Sequence, residues 1–402
     1  MFVFLILSFL LTVFYIGIML TYKNVWQEVK ETEDLAEHVQ TSISVIIPAR
    51  NEAQHIGKLL TYIAQQNYPN ELLEVIVVDD HSEDETYNIC KQFASNNTLT
   101  LSVYKLQELI EDETTQVYKK RAIEAAVQKA KGTLIVTTDA DCRVQANWLR
   151  SIATCYEQEK PSLIAAPVGF ENDTTFFEKF QALDFCGMQA ITGASLQMKM
   201  FNMANGANLA YEKQAFLDVD GYQHIDQKAS GDDMLLVYKI AQKFSSKIKF
   251  LKNKQAIVYT EPQRTIHNFL QQRFRWTSKS RSYQDRRITL ILGLVYLFVL
   301  SIWMNTLYFI GRSVLSILFP ENTLIALINF LPVFFFLFMA IIQIICKCII
   351  DYFFLKSAVE FFDRKDLMKS FLISECWHIW YIPFVGTFGN FLQYTWKGRK
   401  LS

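Results

Sequence analysis

Histidine and cysteine are sparse in this 402-residue chain, with six and seven copies, and the thiols are odd in number and without paired spacing. No Cys/His pattern of zinc type occurs, which excludes a structural zinc site and a disulfide framework and leaves reduced thiols as the expectation. Net charge is missing as well. Lys plus Arg and Asp plus Glu stand at 40 each, so the total carries no electrostatic footprint for nucleic acid. Nothing basic precedes the apolar run that opens the chain, and Tyr22-Lys23-Asn24 makes a poor cleavage site, so a retained anchor is expected there rather than a removable signal peptide.

What the chain has instead is apolar surface, at 51% of residues with 32 Phe. The excess lies at the two ends. Residues 2–20 carry no charge, are long enough to cross a bilayer and are followed by Lys23 and Lys30, which predicts a transmembrane anchor over residues 1–22. The positive-inside rule then places a polar linker (23–41) and the soluble middle of the chain in the cytoplasm. Residues 288–310 and about 324–346 each have spanning length, around a loop with Arg312, Pro320 and Glu321. Arg281, Arg286 and Arg287 precede this pair and Lys347, Lys356, Arg364 and Lys365 follow it, so both flanks are expected to be cytoplasmic. A last aromatic stretch, about 370–396, contains Glu375, His378, Pro383, Gly386 and Gly389 and ends near Lys397, Arg399 and Lys400. Basic residues on both sides favour a re-entrant or interfacial element over a clean span. The expectation is a multi-pass protein of the cell (inner) membrane, with a cytoplasmic domain at 42–285 and a membrane region at 286–402.

Within that domain apolar strands alternate with helices: strands at 42–48, 72–78, 99–104 and 133–138, helices at 52–66, 84–94 and 118–131. Such an order predicts an α/β fold with a mostly parallel central sheet covered on both faces, which binds ligands at the carboxyl ends of its strands. Segments 48–52, 79–83 and 139–141 all fall there. Asp139 and Asp141, one residue apart after the run Thr133 to Thr138, can turn both carboxylates toward one hard cation, although Asp-x-Asp also occurs in ordinary turns.

Five motifs then occur in order: Ile47-Pro48-Ala49-Arg50-Asn51-Glu52, Val78-Asp79-Asp80-His81-Ser82, Asp139-Ala140-Asp141, Gly231-Asp232-Asp233 and Gln272-Arg273-Phe274-Arg275-Trp276. Together they resemble membrane glycosyltransferase family 2 over about residues 42–276. The resemblance implies a GT-A fold and inverting transfer of a sugar from a nucleotide diphosphate, with a UDP-sugar the expected donor. Membrane ends of this kind resemble those of enzymes that act on lipids, such as the ceramide glucosyltransferase-like ones, so a lipid or lipid-linked acceptor and contact with the bilayer are implied.

Residue by residue, Pro48, Arg50 and Glu52 would contact the nucleotide from a helix start, although Asn51-Glu52 is equally good capping sequence. Asp80 matches the family aspartate that reads the uracil ring, and Lys119-Lys120, Lys120 above all, matches a lysine near base and phosphates. Asp139 would touch the donor and, with Asp141, hold Mg or Mn on its diphosphate. Asp233 is the expected general base at the start of a helical run, with Asp232 orienting or binding acceptor. Gln272, Arg275 and Trp276 share one helix face and would close the donor site, Trp276 also offering a wall to the acceptor. Arg273, Lys279, Arg281, Arg286 and Arg287 read as contacts to the lipid surface. Asn205, Gly206 and Asn208 form turn chemistry where the resemblance puts the acceptor, and 176–190 reads either as a helix lying on the membrane or as a core helix. Two other functions compete: a processive polysaccharide synthase, sunk by a single sugar on an extracted lipid, and an inactive membrane scaffold, excluded by metal-dependent nucleotide release that Asp233→Asn abolishes.

Overall fold

The computed structural model describes residues 2–110, 118–201, 203–225, 231–279, 283, 285–318, 323–389, 394–396 and 399–401. Nine strands belong to the α/β domain: β1 (Ile43–Ala49), β2 (Leu73–Asp79), β3 (Thr100–Lys105), β4 (Leu134–Thr137), β5 (Leu163–Ala165), β6 (Val168–Phe170), β7 (Leu209–Glu212), β8 (Ile248–Phe250) and β9 (Val258–Thr260). The helices are α1 (Phe2–Glu28), α2 (Ile56–Ala64), α3 (Thr86–Asn96), α4 (Leu106–Leu109), α5 (Tyr118–Lys129), α6 (Trp148–Glu159), α7 (Phe176–Gln197), α8 (Lys213–Asp218), α9 (Asp232–Phe244), α10 (Ile266–Ser278), α11 (Arg286–Leu318), α12 (Thr323–Phe361) and α13 (Phe371–Phe388).

Seven strands form one sheet in the order β3-β2-β1-β4-β7-β5-β8, and β6 pairs with β9 beside it. The first four are parallel, and β1, β2 and β4 are buried and rich in Val, Ile and Leu, whereas the edge strand β3 is mostly half-buried. β7 runs the other way against both β4 and β5. Because Leu209 pairs with Thr137, the beginning of β7 lies at the edge where β1, β2 and β4 end. Loops from both directions therefore meet at one edge. The junction before β4 needs a residue without a side chain, since a Cβ at Gly132 would sit 2.5 Å from the backbone nitrogen of Ser44.

The first helix begins later than expected, at Ile56, because Asn51 takes a left-handed φ of 52° and residues 52–55 form a turn. The polar linker also starts later than expected: α1 continues to Glu28, with Trp26 packed edge-on against Phe250 and Phe361 and capped by Lys252. Lys252 donates to the carbonyls of Trp26 and Val29, which fastens the helix to the sheet domain. Three helical stretches, Phe2–Glu28, Arg286–Leu318 and Pro332–Phe361, are long and apolar enough to cross a membrane. The aromatic stretch forms the helix α13 with Pro383 inside it, followed by two short strands, Tyr394–Trp396 and Arg399–Leu401. α7 packs between the sheet domain and the apolar helices α1 and α12, with 15 of its 22 residues buried, so it is a core helix and does not lie free on a surface.

Lys347 is corrected in position. It was expected to flank the second C-terminal span, yet it lies inside α12, fully buried, and bonds Asp351 at 2.6 Å and Glu375 of α13 at 2.5 Å. Tyr15 of α1 donates to the same Asp351 at 2.7 Å. A buried ammonium between two carboxylates holds three helices in one arrangement, since an ion removed from water is tolerable only when paired.

Candidate active site

The ends of β1, β2 and β4 are fixed to one another by hydrogen bonds. Asp80 donates its backbone NH to the Ala49 carbonyl at 2.8 Å, and the Arg50 guanidinium donates to the carbonyls of Asp80 (2.9 Å) and His81 (3.2 Å). Arg50 thus clips two strand ends together. Pro48 is half-buried in β1, and Glu52 is buried with its NH bonded to the Thr86 hydroxyl at 2.8 Å. The Asp80 carboxylate is 2% exposed and lies 3.0 Å from Nδ1 of His81. Next to it, Oδ1 of Asp79 is buried without a hydrogen-bond partner among the described residues.

At the end of β4, Asp139 is half-exposed and Asp141 exposed. Both act on one point, the buried Cys142 thiol, whose pKa is pushed well up by burial and then by the charges of Asp141 and Asp139. Lys119 of α5 lies 2.8 Å from Asp139. Two adjacent oxygen donors open to solvent suit a hard divalent cation, with a lysine at hand that also suits phosphate. Lys120, the residue singled out from the sequence, is 1% exposed and donates to the Ile225 carbonyl at 2.7 Å. The lysine on the carboxylate pair is its neighbour.

Across this edge stands Asp233, in the first turn of α9, whose N-cap Gly231 takes φ 86°. A helix start is a favourable place for a carboxylate. Its Oδ2 faces the Gly206 NH at 3.4 Å, and its Oδ1 faces the Lys279 ammonium at 3.2 Å. The Gly206 carbonyl in turn accepts from the Thr137 hydroxyl at 2.8 Å, which couples Asp233 to the end of β4. Asp232 opens the same helix; its side chain lies outside the described residues. Asn205 caps the short turn Gly206–Asn208 by accepting from the Ala207 NH at 3.1 Å.

Three expectations are corrected here. Asn208 was read as an acceptor contact, yet it is fully buried: it donates to the carbonyls of Pro167 (2.7 Å) and Ala256 (2.8 Å) and accepts from the Trp148 indole at 2.9 Å. Its amide is spent on the scaffold. Arg273 was read as a lipid-surface contact, yet it is 2% exposed and pairs with Asp184 of α7 at 2.9 Å. Burial opposes the charge on Asp184, but Arg273, His378 and Lys347 outweigh it and bring the carboxyl pKa below its usual range. Lys279, also assigned to the lipid surface, is the partner of Asp233; Arg281 lies outside the described residues.

Gln272, Arg275 and Trp276 occupy the last turns of α10, all partly buried. The Trp276 ring stacks on Phe185 at 6.0 Å and lies 4.4 Å from the Arg273 guanidinium, which fixes it against α7. The Gln272 Oε1 is buried without a hydrogen-bond partner among the described residues. Sequence reasoning missed the ionic cluster of Lys347, Asp351, Glu375, His378 and Asp184; the signal for it was ionisable residues inside apolar runs.

The chain matches Glycosyl transferase family 2 over residues 44–214 and Glycosyl transferase family group 2 over residues 134–343, the latter about half of its length. Among similar proteins, glycosyltransferase AglE of Haloferax volcanii is 31% identical over 179 residues, covering 44% of this chain and 54% of that one. The beta-monoglucosyldiacylglycerol synthase of Trichormus variabilis is 28% identical over 118 residues, 29% of this chain and 24% of that protein. The chain thus spans about half of one relative and a quarter of the other. The mannosyltransferase PcManGT from Pyrobaculum calidifontis, solved in complex with GDP-Man and Mn2+, aligns with a TM-score of 0.54 at 18% identity, over 90% of this chain and 100% of that one. That likeness shows a shared GT-A fold, and on the family matches this chain belongs to the family 2 glycosyltransferases.

Proposed function

We propose that the protein transfers a sugar with inversion from a nucleotide-diphosphate sugar, a UDP-sugar by the first expectation, to a hydroxyl of a membrane lipid. The observation that carries this reading is the placement of Asp233: it stands across one sheet edge from Asp139 and Asp141, bonded through Gly206 to the end of β4. A donor whose base meets Asp79 and Asp80 would run its diphosphate toward Asp139 and Lys119. Asp139 and Asp141 would hold Mg or Mn, which when bound supplies positive charge to the leaving diphosphate. Asp233 then takes the proton of the acceptor hydroxyl as that oxygen bonds the anomeric carbon, on the face opposite the bond that breaks. Lys279 holds the carboxylate in place for that transfer, and Gln272, Arg275 and Trp276 border the site from α10.

The three spanning helices support a location in the cell membrane, with the sheet domain on the cytoplasmic side where Lys23 and the basic residues near Arg286 lie. Mass spectrometry of lipids from cells with and without the protein tests the reading. A lipid bearing one added sugar, absent in Asp233→Asn cells, is the expected result; a polymer or an unchanged lipid profile overturns it.

A further inference from the structure

A cavity of about 280 Å³ lies between α1, α7, α11, α12 and α13, near the lower end of small-molecule sites, roughly 300–1,000 Å³. Most of its wall is Leu, Ile, Met and Phe. Acids predominate among the charged groups of the wall. Asp184, Asp351, Glu375, Ser374 and His378 line it, and among the described residues no lysine or arginine does. The cations of the neighbourhood, Lys347 and Arg273, pair with these acids without forming part of the wall. Three carboxylates against two permanent cations leave the acids in excess, with the titratable His378 3.6 Å from Asp184. The Ser374 hydroxyl is a second observation: the residue is 4% exposed, and its oxygen is buried with no hydrogen-bond partner among the described residues.

The cavity also reaches the site. Tyr283 and Met203 line it, and the phenol of Tyr283 is pushed up to about 12 by burial and then by the nearby charge of Asp233. Met203 leads into the turn whose Gly206 NH faces Asp233.

We infer that this cavity admits an uncharged lipid whose polar end carries hydroxyl groups, and that it rejects a lipid phosphate. The inference rests on the reading of the chain as a lipid-directed transferase and names its acceptor class. Hydroxyls donate to carboxylates and exchange hydrogen bonds with Ser374, whereas a phosphate beside three carboxylates whose cations are already engaged finds no lysine or arginine in the described wall. Methylene chains fill the apolar part, where burial is favourable.

The test uses the full chain in phosphatidylcholine nanodiscs and two diazirine-bearing probes with the same acyl chains, a diacylglycerol and a phosphatidic acid. The diacylglycerol should label peptides of α11 and α13, and the phosphatidic acid should label them at least about tenfold less. Ile291→Trp, which fills the cavity from α11, should cut diacylglycerol labelling about tenfold at an unchanged unfolding midpoint. Ser374→Lys should reverse the preference, because it brings a cation into the wall. Equal or stronger labelling by phosphatidic acid, no labelling by either probe, or labelling indifferent to Ile291→Trp overturns the inference. Labelling requires no sugar donor, so the two readings fail separately. Diacylglycerol labelling without any glycolipid product sinks the transferase reading alone, and sugar transfer with phosphatidic acid labelling sinks this one alone.

Discussion

The Lys279 ammonium lies 3.2 Å from the Asp233 carboxylate and joins the end of α10 to the first turn of α9. If Asp233 is the base, its loss removes a proton transfer and leaves the donor's contacts in place. Asp233→Asn is expected to lower turnover by about 10²–10⁴-fold, while the dissociation constant for UDP-sugar, measured by calorimetry, stays near wild type. Lys279→Met should lower kcat and leave the donor KM nearly unchanged.

Asp141 tests the cation. Asp141→Asn removes one of two oxygen donors, so donor binding and turnover are both expected to fall, with excess Mn restoring neither fully. Full activity of the wild-type chain in the presence of a chelator would show that no metal acts there.

Arg273 and Asp184 form a buried pair whose separation strands a carboxylate. Arg273→Met is expected to destabilise the fold by about 3–5 kcal/mol, read as a lower unfolding midpoint in detergent. A change near zero would mean that His378 and Lys347 alone satisfy Asp184.

Glu157 ties the segment before β1 to α6 by accepting from the NH groups of Gln40 (2.7 Å) and Thr41 (2.8 Å) and from the Thr41 hydroxyl. Burial raises its pKa, but these bonds outweigh it and the folded value lies below the ordinary 4.5. A depressed folded pKa gives stability that is fully present above 4.5 and lost as pH falls through the folded value. Wild type should therefore exceed Glu157→Gln in urea unfolding at pH 7, and the gap should close in acid.

The strand ends were readable because buried parallel strands are apolar runs that stop at polar residues, and Arg50, Asp80 and Asp139 each sit at or just after such a stop. Asn208 was not readable. Turn chemistry is the same whether an amide faces a ligand or the scaffold, and only the meeting of Trp148, Pro167 and Ala256 decides it. Lys347, Arg273 and Lys279 were misplaced for a related reason. Counting basic residues near apolar runs ignores their partners, and Glu375, Asp184 and Asp233 come close only through folding. The reversal of β7, which brings Gly206 to the catalytic edge, likewise leaves no mark in a four-residue strand.

The bond from Tyr15 to Asp351 crosses 336 residues of chain. During synthesis, which proceeds from the N-terminus, α1 is made first and waits for its partner until α12 emerges. The sheet domain is complete before that moment. The cavity between the apolar helices is not, because α11, α12 and α13 supply much of the wall. The order of manufacture therefore gives a nascent chain its strand-end acids early and this cavity last, so on the proposed reading transfer to lipid is withheld until the membrane helices have assembled.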